Sequence, residues 1–141
     1  MTLKQDVRAS VLARRKEIPS ALRKEKSLSI CEQLLSEIDS RLASDTPLNA
    51  SNRQLHIAAY EPMTSEVDVH PLLHAAYECG WEVYLPCMAK DTLDTPARMV
   101  FFPIRPSHLT EQRPAFLDHP ARPYLLDDLH GQGWQEADGQ L

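Results

Sequence analysis

The feature that most constrains this chain is a strand, a helix and a second strand within residues 56–86. His56-Ile57-Ala58-Ala59-Tyr60 is a short apolar run, and Glu82 to Pro86 (EVYLP) is another. Between them, Asp68 and Pro71 supply a helix cap and an early-turn residue, and Leu72, Leu73, Ala76 and Tyr77 form a buried side. Gly80 follows where a helix end favours a left-handed residue. Strand, helix, glycine and strand within about 30 residues make a βαβ unit, which joins parallel neighbours by a right-handed crossover. Arg98 to Ile104 (RMVFFPI) reads as a third strand. The expected fold is therefore α/β, an open, mainly parallel sheet flanked by helices.

Two helices are expected ahead of this unit. Leu3, Val7, Val11 and Ile18 fall at helical spacing, with Thr2 as N-cap and Pro19 as terminator. Ser20 then caps a second helix whose stripe is Leu28, Cys31, Leu34, Leu35, Ile38 and Leu42. Residues 43–53 read as a connecting loop. Beyond Ile104, Pro106, Pro114, Pro120 and Pro123 interrupt regular structure, and Leu125, Leu126 and Leu129 suit one short helical turn. The final HGQGWQEADGQL reads as an exposed loop. Residues 1–104 are thus expected to be the N-terminal part of a single α/β domain, with 105–141 a Pro-rich, mostly irregular extension of it. Three strands are few for a sheet buried between helix layers, so the domain reads as incomplete.

A length of 141 residues, 43% of them hydrophobic and 25% charged, suits one globular core. The net charge of -5 argues against a non-specific nucleic-acid binder. Cys31, Cys79 and Cys87 are odd in number and form no CxxC pair, which fits buried thiols in a reducing compartment. No apolar run approaches the roughly 20 residues of a membrane span, and the N-terminus lacks a signal-peptide core. A soluble, cytoplasmic protein is expected.

Lys4 and Arg8 stand four apart and project from one helix face, with Arg15 extending the row. Such a row can meet phosphate oxygens or form an ordinary solvated face. Glu61, Glu66 and Asp68 follow the first strand of the βαβ unit, and open α/β sheets bind ligands beyond the carboxyl ends of their strands. A carboxylate there can accept hydrogen bonds from a heterocycle's N–H groups. Asp68 fits helix capping instead, and for Glu66 position alone leaves both readings open. His70 and His74 lack a third metal ligand at any recognised spacing, so two exposed helix histidines is the preferred reading. Cys87, placed after a strand end with no activating base nearby, reads as structural. Gly80, Gly131, Gly133 and Gly139 make no G-x-x-x-x-G-K or G-x-G-x-x-G run, so neither a P-loop nor a dinucleotide fingerprint is present.

The blocks KQDVR, LARRKEIP, AAYEPMTSEVDVHPLL, EVYLP and RMVFF, in this order, resemble the 5-formyltetrahydrofolate cyclo-ligase (methenyltetrahydrofolate synthetase) family from Lys4 to about Ile104. Tyr-x-Pro-x-x-x-Glu-x-Asp, here Tyr60 to Asp68, together with a cationic first helix carries the resemblance. It implies an enzyme that uses ATP and Mg²⁺ to close a ring. In that family the formyl oxygen of 5-formyltetrahydrofolate attacks the γ-phosphate of ATP. N10 then traps the activated carbon, and phosphate leaves to give 5,10-methenyltetrahydrofolate. The resemblance assigns ATP binding to Lys4, Gln5, Asp6, Val7 and Arg8, and substrate binding to Glu61 and Glu66. It assigns no catalytic residue and no protein-held metal. The expected partner is 5-formyltetrahydrofolate, with no nucleic acid and no membrane; the sequence leaves the oligomeric state open, with a monomer expected of a complete domain. The family's Gly-rich, Tyr-Tyr-Asp-containing loop has no counterpart here, so turnover by residues 1–141 alone is expected to be impaired. The alternative is a non-catalytic folate- or nucleotide-binding or interaction protein of the same fold.

Overall fold

Thr2 opens the first helix as its sequence predicts. In the computed structural model, which describes residues 2–45 and 55–137, the Thr2 hydroxyl accepts the Gln5 N–H and the Gln5 side chain accepts the Thr2 N–H. This reciprocal box satisfies two of the donors that a helix start leaves orphaned. Helix α1 is Leu3–Glu17, and it stops because Ile18, forced towards extended geometry by Pro19, adopts φ -66 and ψ 123. Helix α2 is Ser20–Asp45. Ser20 is its first helical residue rather than its cap, since the Arg23 N–H already bonds the Pro19 carbonyl at 2.9 Å. The helix also runs through 43–45, which were expected to open a loop; no breaker precedes Pro47. The rest of that expected loop, 46–53, lies outside the described residues.

The chain divides into two compact units, Met1–Ser51 with Pro62–Leu72, and Asn52–Glu61 with Leu73–Leu141. In the first unit the apolar stripe of α1 is not a buried face. No residue of α1 is buried, and Leu3, Val7 and Val11 are exposed. On α2, Leu28 and Leu34 of the expected stripe are exposed as well, while Cys31 is buried and Leu35, Ile38 and Leu42 are half-buried. The face that meets the segment 62–69 is instead Arg23, Ser27 and Cys31, at i, i+4 and i+8. Ser27 is 2% exposed, the one buried polar residue among those described.

The second unit is built around a sheet. Strand β1 (His56–Ala58) pairs in parallel with β2 (Glu82–Lys90), as a βαβ unit requires, with helix α3 (His70–Glu78) in the intervening chain. Gly80 ends α3 at φ +77, with Trp81 N–H on the Ala76 carbonyl and Gly80 N–H on that of Tyr77, both satisfying orphaned carbonyls. Strand β3 (Arg98–Pro103) pairs with β2 antiparallel. The short link between them, 91–97, allows a hairpin but not a crossover. Strand β4 (Tyr124–Leu125) pairs in parallel with the far end of β2. The sheet is thus open and mostly parallel, two of its three pairings running that way.

β2 continues four residues past the expected end at Pro86. Glu82 N–H and the Tyr84 carbonyl face β1, so Pro86 turns its missing N–H towards that same edge. β1 ends opposite Tyr84 and β4 begins opposite Ala89, so no strand calls for a donor at Pro86. Side chains alternate by face. Val83, Leu85, Cys87 and Ala89 join Val100 and Phe102 in the core, while Met99 on the other face is exposed.

The Pro-rich stretch is more regular than its composition suggests. It carries a 3₁₀ turn at Pro106–Leu109, helix α4 (Ala115–Asp118), β4 and helix α5 (Leu126–Gly131). Each proline falls outside a helix interior, at a start or in a link, where a missing N–H costs little. Trp134, expected in an exposed loop, packs against Phe102 and Phe116 at ring separations of 5.8 and 5.2 Å. Residues 138–141 of that loop lie outside the described residues.

Candidate functional site

The residues matched to nucleotide binding occupy the first two turns of α1. Lys4, Gln5, Asp6, Val7 and Arg8 are all exposed. Gln5 spends its carbonyl oxygen on the Thr2 N–H at 3.0 Å, and the Asp6 N–H goes to the Thr2 carbonyl, so both help to start the helix. Lys4 and Arg8 have no hydrogen-bond or ion-pair partner among the described residues. Lys4 stands in the first turn, where a positive charge opposes the helix dipole. A cation there costs local stability, and a phosphate would reverse that cost. Val7 offers only its apolar surface and backbone.

Glu66 belongs to the same compact unit. Its N–H donates to the Met63 carbonyl at 3.0 Å, and its Oε1 accepts the Met63 N–H at 2.8 Å. The turn thereby fixes the carboxylate and leaves Oε2 without a partner among the described residues. The segment that carries Glu66 is itself pinned to the two helices. Arg23 donates to the Thr64 carbonyl at 2.9 Å and Arg15 reaches the Ser65 hydroxyl at 3.4 Å. The Asp68 N–H donates to Ser27 Oγ at 2.9 Å, and the Cys31 thiol donates to the Asp68 carbonyl at 3.4 Å. The second guanidinium arm of Arg23 takes the Arg15 and Ile18 carbonyls at 2.9 and 3.0 Å, closing the exposed end of α1. Asp68 caps α3 as expected, accepting the His70 N–H at 3.0 Å.

Glu61 lies in the other unit, past the carboxyl end of β1. Its side chain is only 10% exposed and pairs with Arg113 at 3.3 Å. Arg113 also holds Asp118 at 2.6 Å, so a cation from the Pro-rich stretch clamps the carboxylate. Burial, aided by the Glu61 charge, pushes the Tyr77 phenol up to about 12. Its hydroxyl donates to the Ile104 carbonyl at 2.7 Å. Glu61 is thus part of a buried polar network, and its assigned role as a substrate contact competes with Arg113 for the same oxygens.

Cys87 is buried within β2 rather than after it, and burial pushes its thiol up to about 11. That makes it a poor nucleophile, in line with the structural reading. Cys31 is buried too, but Cys79, expected inside, is exposed because it sits beside Gly80 at the outer end of α3. His70 Nδ1 lies 3.1 Å from Asp68 and His74 is exposed. Among the described residues no three or more His, Cys, Asp or Glu side chains gather to hold a metal ion. No described helix is long and apolar enough to cross a membrane.

Arg23, Ser27 and Arg113 were not singled out from the sequence for these roles. The i, i+4, i+8 spacing of Arg23, Ser27 and Cys31 was available as a signal, but a search for apolar stripes passes over a polar buried face. Nothing local marks Arg113. No family model, curated protein or solved structure matches this chain.

Proposed function

We propose that this chain carries the nucleotide- and folate-binding elements of a cytoplasmic, ATP-dependent 5-formyltetrahydrofolate cyclo-ligase. The observation that carries the reading is Glu66, a carboxylate fixed by its own turn with one oxygen unengaged, in the same compact unit as the unpaired cations Lys4 and Arg8. A carboxylate held in place before the ligand arrives accepts N–H groups of a pterin ring without first losing side-chain freedom. Lys4 and Arg8 supply the positive charge that a nucleotide triphosphate requires, and phosphoryl transfer depends chiefly on positioning and charge neutralisation.

The reaction balances as follows. The formyl oxygen attacks the γ-phosphorus and ADP departs, which turns a poor leaving oxygen into a phosphate ester. N10 attacks the activated carbon, loses its proton, and inorganic phosphate leaves as the five-membered ring closes. Mg²⁺ in this scheme travels with the ATP phosphates, since it sheds water reluctantly and needs no all-protein cage.

Calorimetric titration tests the binding reading. Glu66→Gln retains an acceptor for the Met63 N–H but loses the charge, so 5-formyltetrahydrofolate should bind about tenfold or more weakly while ATP is unaffected. Replacing Lys4 and Arg8 together by Gln should do the reverse. Folate affinity unchanged by Glu66→Gln would remove the basis of the proposal.

A further inference from the structure

A cleft in the second unit holds none of the residues assigned above. It has a volume of about 820 Å³ and is lined by Trp81, His108, Arg105, Gln112, Gln132 and Trp134, over a floor that includes Val83 and Ile104. That volume lies within the range of small-molecule sites, where apolar walls and a few convergent polar groups are usual.

Trp134 is held by Phe102, Phe116 and His108, the imidazole standing 4.8 Å away at 54°. Trp81 is anchored by the helix-ending bond of its N–H to Ala76 and is 8% exposed. The aromatic surfaces are therefore built in place by packing around them. Their polar edges are not used internally. Neither indole N–H has a partner among the described residues, and neither does the Arg105 guanidinium. His108 Nδ1 lies 2.9 Å from the Arg105 N–H, which donates to it. The ring proton therefore sits on Nε2, making His108 a donor as well. Burial and the neighbouring Arg105 charge lower the His108 pKa, which keeps this imidazole neutral. Glu82, the acid that lines the cleft, is engaged by the Tyr84 hydroxyl at 2.6 Å and by His56 at 3.1 Å.

Donors, one unpaired cation and pre-packed indoles in a chain of net charge -5 make a locally distinct surface. We infer that this cleft binds a small planar aromatic carboxylate, its ring against the indoles and its carboxylate on Arg105. A charge-assisted contact to guanidinium is about twice as strong as a neutral hydrogen bond, so the carboxylate should matter as much as the ring.

The chain has two tryptophans, and both line the cleft. Their indole N–H signals in a ¹H–¹⁵N spectrum, assigned through Trp81→Phe and Trp134→Phe, therefore report this site directly. Benzoate and the neutral benzyl alcohol are the probes. Benzoate is expected to shift both signals saturably, with benzyl alcohol about tenfold weaker. In Arg105→Gln, which removes the guanidinium and with it the charge felt by His108, benzoate should weaken about tenfold to match the alcohol. Equal binding of the two probes to the unaltered chain, or benzoate affinity unchanged in Arg105→Gln, would overturn the assignment. Indole signals that stay put up to millimolar benzoate would overturn it too.

Discussion

Arg23 donates through Nη1 to the backbone carbonyl of Thr64, 41 residues further along the chain, at 2.9 Å. Its other arm caps the end of α1, so one side chain ties a helix terminus to the turn that holds Glu66. Arg23→Ala should destabilise the chain by about 2 kcal/mol, the scale of hydrogen bonds to charged groups. Arg23→Lys should recover only part of that, because an ammonium lacks the fork that reaches three carbonyls. Urea unfolding gives the stability, and amide exchange across 63–68 should rise in both variants.

Ser27 supports the same segment from one helical turn away. Removing its hydroxyl leaves the half-buried Asp68 N–H without that acceptor, at about 1 kcal/mol or more. Since Ser27→Ala and Arg23→Ala act on one segment, their effects should fall short of additive in a double-mutant cycle. Strict additivity would show that the two anchors are independent.

Gly80 is the residue whose backbone conformation matters most. At φ +77 it occupies a region that L side chains rarely adopt, while an added Cβ would meet no atom within 4 Å. Gly80→Ala should therefore cost about 1–2 kcal/mol through conformation alone. Gly80→Asn should cost less, because asparagine tolerates the left-handed region. Paired thermal melts of the two variants distinguish conformation from crowding.

The three thiols should react in a fixed order. Cys79 is exposed, whereas Cys31 and Cys87 are buried and burial holds the Cys87 thiol protonated up to about 11. Brief maleimide treatment at neutral pH should add one label, mapped to Cys79 by peptide mass spectrometry, with the other two modified only after unfolding.

Alkaline stability should carry the signature of Tyr77. Its pKa is raised from 10.0 to about 12 in the folded chain, so folding favours the protonated phenol. The contribution is complete below pH 10 and is lost as pH rises from 10 towards about 12, where the unfolded chain ionises first. Tyr77→Phe should lower stability at neutral pH by removing the bond to Ile104, yet flatten the decline between pH 10 and 12. Melting temperatures across that window check both signs.

The strand, helix and strand of residues 56–86, the Thr2 cap, the Pro19 break and the Gly80 stop were all legible because each rests on interactions within a few residues. Backbone sterics at glycine and proline, capping, and the 3.6- and 2-residue periods act locally, and a local cause leaves a local pattern. For the same reason Glu66 was legible as a carboxylate in a turn beyond a strand. What faces what was decided only by tertiary structure. The face of α2 that meets segment 62–69 is Arg23, Ser27 and Cys31 because that distant segment offers carbonyls and an N–H there, and a polar face so matched can pack as an apolar one does. The clamp of Arg113 on Glu61, the antiparallel turn-back of β3 and the burial of Trp134 likewise depend on partners remote in sequence. The sequence by itself determined which elements form and where they stop; the fold decided which of their side chains were left unpaired, because partners remote in sequence meet only in the tertiary structure.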